Sequence, residues 1–462
     1  MKTQPNYLMP RESAARFQNT NIAMVAQRWP AHYCMTVIGF YIRRKVPISD
    51  LNLTHENWNA SGRSPLSPWQ AEIWLAMQLL DTRSAFNLAT RIRVFGTVDI
   101  ERLRRAIAVV YNENEQLRTI VSADVPEQFV TSAPPNAWPL SCADADETLN
   151  DMLGQAFGLE MPLQSFSIQD CQQTDIELIF VVHHLVFDGR SQQLLFDALV
   201  HSYLGGDSHA DSSAYLRYAS GPHDSMEDGA GPNWDVALAE LRMNRYSHAE
   251  GFGDLRWTRF ILRRRAYDVL KQKRQQLGCT FAELLFVLFS SSANATDMDF
   301  PIIRMGVDSR PPEFRNTIGN FTNTLPVRIP VRKSLEARID EARHTFDWLK
   351  RAKATSIGTM LAHADRRALS NMPMMTHRRF ARVILADGCA FEANPSIPTL
   401  AAKAPLMLQS IDYGDEVALR FEFDSRVLDL AHRNQVIAGF EEELQAIGIQ
   451  AEEIDKTDGL VR

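Results

Sequence analysis

The sequence predicts an α/β protein of two or three structural units, and three observations carry that reading. Apolar, β-branched runs of strand length alternate with stretches whose apolar residues recur at helical spacing. The chain has 462 residues, 45% hydrophobic and 23% charged, which is ample for a large core. A polar, glycine-rich stretch from 205 to 231, rich in Ser, Asp and His, divides it like a linker.

Taken in order, residues 1 to 60 are mixed in character, with one apolar run, Thr36 to Ile42, followed by Arg43, Arg44 and Lys45. Trp69 to Leu80 reads as a helix, Thr90 to Phe95 as an alternating strand, and Asp99 to Val110 as an amphipathic helix. Ile176 to Phe180 is a buried strand, and Ser191 to Val200 a helix for which Ser191 is the expected N-cap. Beyond the linker, Trp257 to Leu262 resumes with a strand. Tyr267 to Leu277 is a basic helix ending at Gly278, and Thr280 starts an apolar helix, Phe281 to Ser290. The expected division is therefore 1–60, 61–230 and 231–462.

Composition excludes several function classes. A net charge of −7 argues against nucleic acid and against strong attraction to a membrane surface. Five scattered cysteines, with no CxxC pair, suggest free thiols, no metal site and no disulfide framework. The apolar run Met35 to Ile42 is too short to span a bilayer, and the amino terminus lacks the apolar core of a signal peptide. A cytoplasmic location is the expectation.

Chemistry concentrates in Val181-Val182-His183-His184-Leu185-Val186-Phe187-Asp188-Gly189, where a strand ends and a helix begins. Rigid elements on both sides fix the geometry of such a loop. Adjacent residues of an extended segment face opposite sides, so one histidine meets the reacting centre and the other the interior. His184 is assigned to the reaction, because Asp188 lies four residues on and can reach back across a turn. Gly189 permits close backbone approach or a positive φ. A neutral imidazole is a natural acceptor for a proton from an amine or hydroxyl. The bland alternative is a pair of hydrogen-bonded core histidines.

This run resembles the HHxxxDG signature of condensation domains from nonribosomal peptide synthetases. Four further segments match in the family's order. Ser67 to Trp74 resembles the SxxQxxxW segment, and Glu115-Gln116-Leu117-Arg118-Thr119 the end of RHExLRT. Asp308-Ser309-Arg310-Pro311 and Ile318 to Leu325 resemble the GRP and IGxFVNTL pair. Leu419 to Asp424 with Leu428 resembles the final strand and the start of the helix after it. Two departures stand out: Glu113-Asn114 occupies the place of Arg-His, and the HQxxPF segment has only His363-Ala364-Asp365 as its nearest match.

The resemblance implies two chloramphenicol-acetyltransferase-like α/β sandwich lobes in a V, with the HHxxxDG loop at their junction. It implies an acyltransferase that takes an acyl group from the phosphopantetheinyl thioester of an acyl or peptidyl carrier protein acting in trans. The acceptor would be a small-molecule amine or alcohol, giving an amide or ester in natural-product biosynthesis such as antibiotic assembly or polyketide chain release. No metal or bound cofactor is expected. His184 would position and deprotonate the acceptor, and the Gly189 N–H would help the oxyanion. His183, Asp188 and Arg310 would shape the loop, Asp188 pairing with Arg310 from the other half; the bland alternative is that Asp188 only caps the next helix. Asn323 and Ser191 would line the substrate channel. An acyltransferase using free coenzyme A thioesters, or a non-catalytic carrier-recruiting module, are the alternatives.

Other features are weighed against this frame. Leu204-Gly205-Gly206-Asp207-Ser208 copies a carrier attachment motif, but no apolar helix follows Ser208, so attachment is rejected. Two cationic groups are candidate docking faces for an acidic carrier: Arg263, Arg264, Arg265, Lys271, Lys273 and Arg274, and Arg366, Arg367, His377, Arg378, Arg379 and Arg382. Residues 1–60 are a candidate docking segment, through the strand at Thr36 to Ile42.

Overall fold

A computed structural model describes residues 63–79, 83–131, 140–141, 143–159, 161–170, 175–206, 214–221, 223, 254–295, 301–355 and 372–460. The expectations for residues 1–60, Ser208, His363 to Asp365, Arg366 and Arg367 lie outside them. The elements follow in order: β1 (Arg63–Pro65), α1 (Pro68–Leu79), β2 (Asn87–Gly96), α2 (Ile100–Glu113), β3 (Thr119–Val121) and β4 (Glu127–Val130). Next come β5 (Leu140–Ser141), α3 (Ala145–Gly154), β6 (Gln164–Asp170), β7 (Asp175–His183), α4 (Gly189–Tyr203) and α5 (Ala214–Ser220). The second half holds β8 (Leu255–Arg263), α6 (Arg264–Gln276), α7 (Phe281–Ala293), β9 (Ile302–Asp308), β10 (Thr322–Arg328) and α8 (Leu335–Ala352). It ends with β11 (Met374–Arg379), β12 (Val383–Ala386), β13 (Cys389–Asn394), β14 (Leu406–Asp412), β15 (Glu416–Asp424), α9 (Leu430–Ala446) and β16 (Ile454–Leu460).

Two sheets organise two α/β lobes. The N-terminal sheet runs β12-β13-β2-β7-β6-β5 and the C-terminal sheet β10-β9-β11-β14-β15-β8-β16. Most neighbours are antiparallel; β5 on β6, and β11 on both β9 and β14, are parallel. In β7 the run Ile176 to Val182 is buried on both faces, apart from a half-buried Glu177, which explains its nearly unbroken apolar sequence. Helix α2 buries Leu103, Ala106, Ile107, Val110 and Tyr111, the i, i+3, i+4 stripe, and Asp99 caps it through the Arg102 N–H. Helix α7 is apolar on all sides because it is enclosed by α8 and α9; Thr280 and Glu283 close a capping box at its start.

The expected boundary near residue 230 does not separate the two sheets. Hairpin β12–β13, from the C-terminal half, adds to the N-terminal sheet at β2, with Cys389 opposite Gly96 and Asn394 opposite Arg91. Its turn places Asp387 at φ 46 and Gly388 at φ 81, the two positive φ values of a type I′ turn. Twelve-residue excursions of this kind leave no composition break, so linker chemistry alone could not show it.

Candidate active site at the lobe junction

Strand β7 ends at His183, and the chain turns through Asp188 into α4. His183 is fully buried: its Nδ1 accepts the Leu185 N–H (3.1 Å), and its ring lies against Phe86 and Phe157. His184 turns the other way. Its backbone N–H donates to the Phe86 carbonyl (2.8 Å), the residue is half-buried, and its Nδ1 is buried with no hydrogen-bond partner among the described residues. Burial pushes the His184 imidazole down to about 4, and the nearby Lys403 charge pushes the same way; Asp188 and neighbouring carbonyls pull back less. The ring is therefore neutral at physiological pH.

Asp188 combines the two roles that the sequence posed as alternatives. Its Oδ1 accepts from the Ser191 N–H (2.8 Å), which makes Asp188, not Ser191, the N-cap of α4. The same oxygen accepts from Arg310 Nη2 (2.9 Å), and Oδ2 accepts from the Phe321 N–H (2.9 Å). Burial would raise this carboxyl, but the Arg310 charge and these hydrogen bonds outweigh it and hold it below the usual value. Arg310 is locked in turn by Asp308, the Thr317 and Gly319 carbonyls, Ser191 Oγ and the Phe321 ring, 4.3 Å from its guanidinium carbon. A residue on α4 is thereby tied to the loop before β10.

Two residues expected to line a channel have other duties. Ser191 is buried, its Oγ donating to the Gly319 carbonyl (2.8 Å) and accepting from the Gly319 N–H (3.0 Å). Asn323 is also buried, on the β10 face opposite Thr322 and Thr324. Its Nδ2 donates to the carbonyls of Lys353 (2.9 Å) and Thr355 (2.7 Å), and its Oδ1 accepts from Thr324. Both amide ends are spent on backbone.

Gly189 opens α4 without a positive φ. Close approach is the reason for glycine: a Cβ here would run into the Arg378 guanidinium. Arg378 comes from β11 and donates to Gln192 Oε1 (2.5 Å) and the Pro395 carbonyl (3.2 Å). Among the described members of the second cationic group, Arg378 is therefore turned inward to the loop and is not part of a solvated face. Arg379 pairs with Asp412, and Arg382 with Glu416 and Glu392. The first group is partly neutralised as well, Arg263 by Glu416 and Asp455, and Arg265 by Glu453.

The C-terminal sheet presents a polar face to this loop. All nine residues of β15 are buried. Val417, Leu419, Phe421 and Phe423 enter the C-terminal core, so Arg420 and Glu422 point the opposite way, toward the N-terminal lobe. Lys403, just before β14, sets its ammonium 5.7 Å from the Phe86 ring centroid. A cavity of about 330 Å³ extends between the two sheets, lined by Arg91, Glu177, Arg259, Tyr413 and Ser396 among others. Ser396 Oγ accepts from Arg420 (3.3 Å), joining that cavity to the polar face. Another cavity, of about 320 Å³, sits behind the C-terminal sheet beside Phe346 and His377, and none of the expected site residues lines it.

Sequence reasoning missed Lys403 and Arg378. Lys403 had a signal: a lone charge inside Ala401-Ala402-Lys403-Ala404-Pro405-Leu406 is costly unless it has a purpose. Among the described residues, no group of three potential ligands is placed to hold a metal ion, and no single helix is long and apolar enough to cross a membrane.

Residues 60–229 match the family model of the Condensation domain. A PKS-NRPS hybrid synthetase, cheA, of Chaetomium globosum is 27% identical over 293 residues, covering 58% of this chain but 6% of the synthetase. Among solved structures, the starter condensation domain of rhizomide synthetase, in complex with C8-CoA and Leu-SNAC, superposes with a TM-score of 0.68. It is 16% identical, over 86% of this chain and 98% of that domain. The SgcC5 protein of Streptomyces globisporus, in complex with a naphthyl ethanediol and sucrose, gives 0.63 at 14% identity, over 83% of this chain and 98% of that one.

Proposed function

We propose that this chain, whose residues 60–229 match the Condensation domain model, acts as a condensation domain of the nonribosomal peptide synthetase kind, moving an acyl group from a carrier-bound phosphopantetheinyl thioester to an amine or hydroxyl acceptor. The product is an amide or ester, and the carrier acts in trans. The observation that carries this reading is the half-buried His184, its ring neutral and its Nδ1 without a hydrogen-bond partner among the described residues, at the junction of two lobes. Two proteins of the same fold hold C8-CoA with Leu-SNAC and a naphthyl ethanediol, and an acyl donor and an alcohol acceptor are in keeping with those ligands.

The chemistry follows from the arrangement. The acceptor nucleophile attacks the thioester carbon, and the carbonyl oxygen gains charge. The Gly189 N–H, first in α4, is a fixed donor at the positive end of a helix and stabilises that oxyanion. The nitrogen or oxygen that has attacked is far more acidic than the free acceptor, so even a weakly basic imidazole takes its proton. His184 then passes the proton to the departing thiolate as the carbon–sulfur bond breaks. Asp188 and Arg310 hold the loop and touch no reacting atom. Much of the acceleration comes from alignment of the two substrates in one cleft.

The test is intact-mass analysis of an acyl-loaded carrier mixed with this protein and a panel of amines and alcohols. His184→Ala lowers offloading by roughly 100- to 10,000-fold with the melting temperature unchanged. Near wild-type offloading by that variant removes His184 from the reaction. Equal turnover with free acyl coenzyme A moves the donor away from the carrier.

A further inference from the structure

Two polar groups at the junction are unaccounted for by the condensation chemistry itself. Glu422 Oε1 accepts from Arg420 Nε (2.8 Å) and Gln409 Nε2 (3.0 Å), but its Oε2 is buried with no partner among the described residues. The Lys403 ammonium lies over Phe86, the residue whose carbonyl holds the His184 N–H, and forms no ion pair or hydrogen bond with a described residue.

The surrounding charge is unbalanced. Arg304 and Arg378 also come from the face of the C-terminal sheet turned to the loop; neither forms an ion pair with a described residue, although the Glu72 charge acts on Arg304. Arg304 reaches only the Lys403 carbonyl (3.5 Å), and Arg378 only Gln192 and Pro395. Of the nearby carboxylates, Asp188 is engaged by Arg310, Glu422 is paired with Arg420 while its charge also acts on Lys403, and Glu72 acts on Arg304, which leaves Arg378 and part of the Lys403 charge uncompensated. Burial lowers Arg304 and Arg378 to about 10 and Lys403 to about 8, with Glu422 partly restoring Lys403 and Arg420 opposing it. A desolvated surplus of cations is complementary to an anion.

That anion belongs to a substrate. The phosphate of a pantetheine arm lies the full length of the arm from the thioester sulfur, so it cannot sit beside His184 when the thioester does. A carboxylate one carbon from the attacking atom falls beside the histidine. We infer that Lys403, flanked by Glu422, binds the free carboxylate of the acceptor, so that the acceptor is an amino or hydroxy acid and not an aminoacyl group on a second carrier. The inference rests on the condensation reading above and adds no step to it. The nucleophile still attacks the thioester carbon, its proton still reaches the thiolate through His184, and the carboxylate leaves unchanged in the product.

The experiment uses the full chain, an octanoyl-loaded carrier, and matched pairs of amino acids and their amides, with the corresponding hydroxy acids. Lys403→Met keeps the stem over Phe86 and removes the charge; Lys403→Arg restores it. Wild type prefers acid over amide, and Lys403→Met loses that preference through a rise in KM of about 10- to 100-fold for acids that amides do not share. Lys403→Arg recovers most of the preference. Equal use of acids and amides by wild type overturns the inference and leaves the condensation reading intact, as does exclusive use of carrier-bound acceptors. A Lys403→Met defect that follows the donor chain and not the acceptor also overturns it. If no acceptor is acylated, thermal shift with the same acids decides: stabilisation of wild type that Lys403→Met loses retains the carboxylate site while the condensation reading fails. No shift in either variant removes both.

Discussion

His183 and His184 are neighbours in sequence with opposite fates, and the difference is backbone geometry. An extended segment sends one ring into the Phe86 and Phe157 packing and the other into the junction. His183→Ala should therefore lower the melting temperature, whereas His184→Ala should spare it; calorimetry of the two variants separates packing from chemistry. Burial also gives the residue scale a pH signature. His184 and His377 are both held down to about 4, below the ordinary 6.5. A depressed histidine stays neutral in the fold but takes up a proton on unfolding. The stability that this neutrality contributes is present above 6.5 and is lost as the pH falls toward 4. Urea titrations across that window should show the decline, and His377→Gln should make it shallower. His377 donates to or accepts from Ser410 Oγ (3.0 Å), so glutamine can keep that bond.

At the scale of elements, Asp188 and Arg310 weld the start of α4 to the loop before β10. Both side chains are almost wholly buried, at 1% and 3% exposure, so either single truncation strands a charge. Asp188→Ala and Arg310→Ala should each cost about 3–5 kcal/mol, and the double variant little more than one of them. Additive melting shifts would show that the two are not coupled. Hairpin β12–β13 makes the same kind of weld between strands. Gly388 sits at φ 81 with open space where a Cβ would be, so Gly388→Ala meets strain without a clash. A loss of about 1 kcal/mol in denaturant midpoint analysis is expected.

On the scale of the whole molecule, the two lobes are not independent units. The N-terminal sheet takes two strands from the C-terminal half, and the loop at Asp188 takes its counter-ion from there. Residues 61–230 made alone should expose the β2 edge and leave Asp188 unpaired, and so fail to give a cooperative transition. Co-expression with residues 231–462 should restore one. A folded, cooperative fragment 61–230 would show that the hairpin is dispensable.

Several things were legible in the sequence because they depend on local chemistry. The unbroken apolar run of β7, the capped apolar helix α7 and the HHxxxDG turn are written in adjacent residues. The pairing of Asp188 with Arg310 was reachable only through resemblance, since the two are 122 positions apart. Tertiary structure decided the rest. Alternation in Leu419-Arg420-Phe421-Glu422-Phe423 resembles a strand with one face in water, yet that face is buried against the other lobe. Period-two patterning states that two faces differ; it does not state what covers the polar one. The same holds for Asn323, whose polar amide was spent on the Lys353 and Thr355 carbonyls, and for Arg378, a surface charge by composition and a neighbour of Gly189 by packing. Local sequence determined the turn that carries His183, His184 and Asp188, whereas the polar wall facing it arises from residues brought together by sheet packing across the lobes.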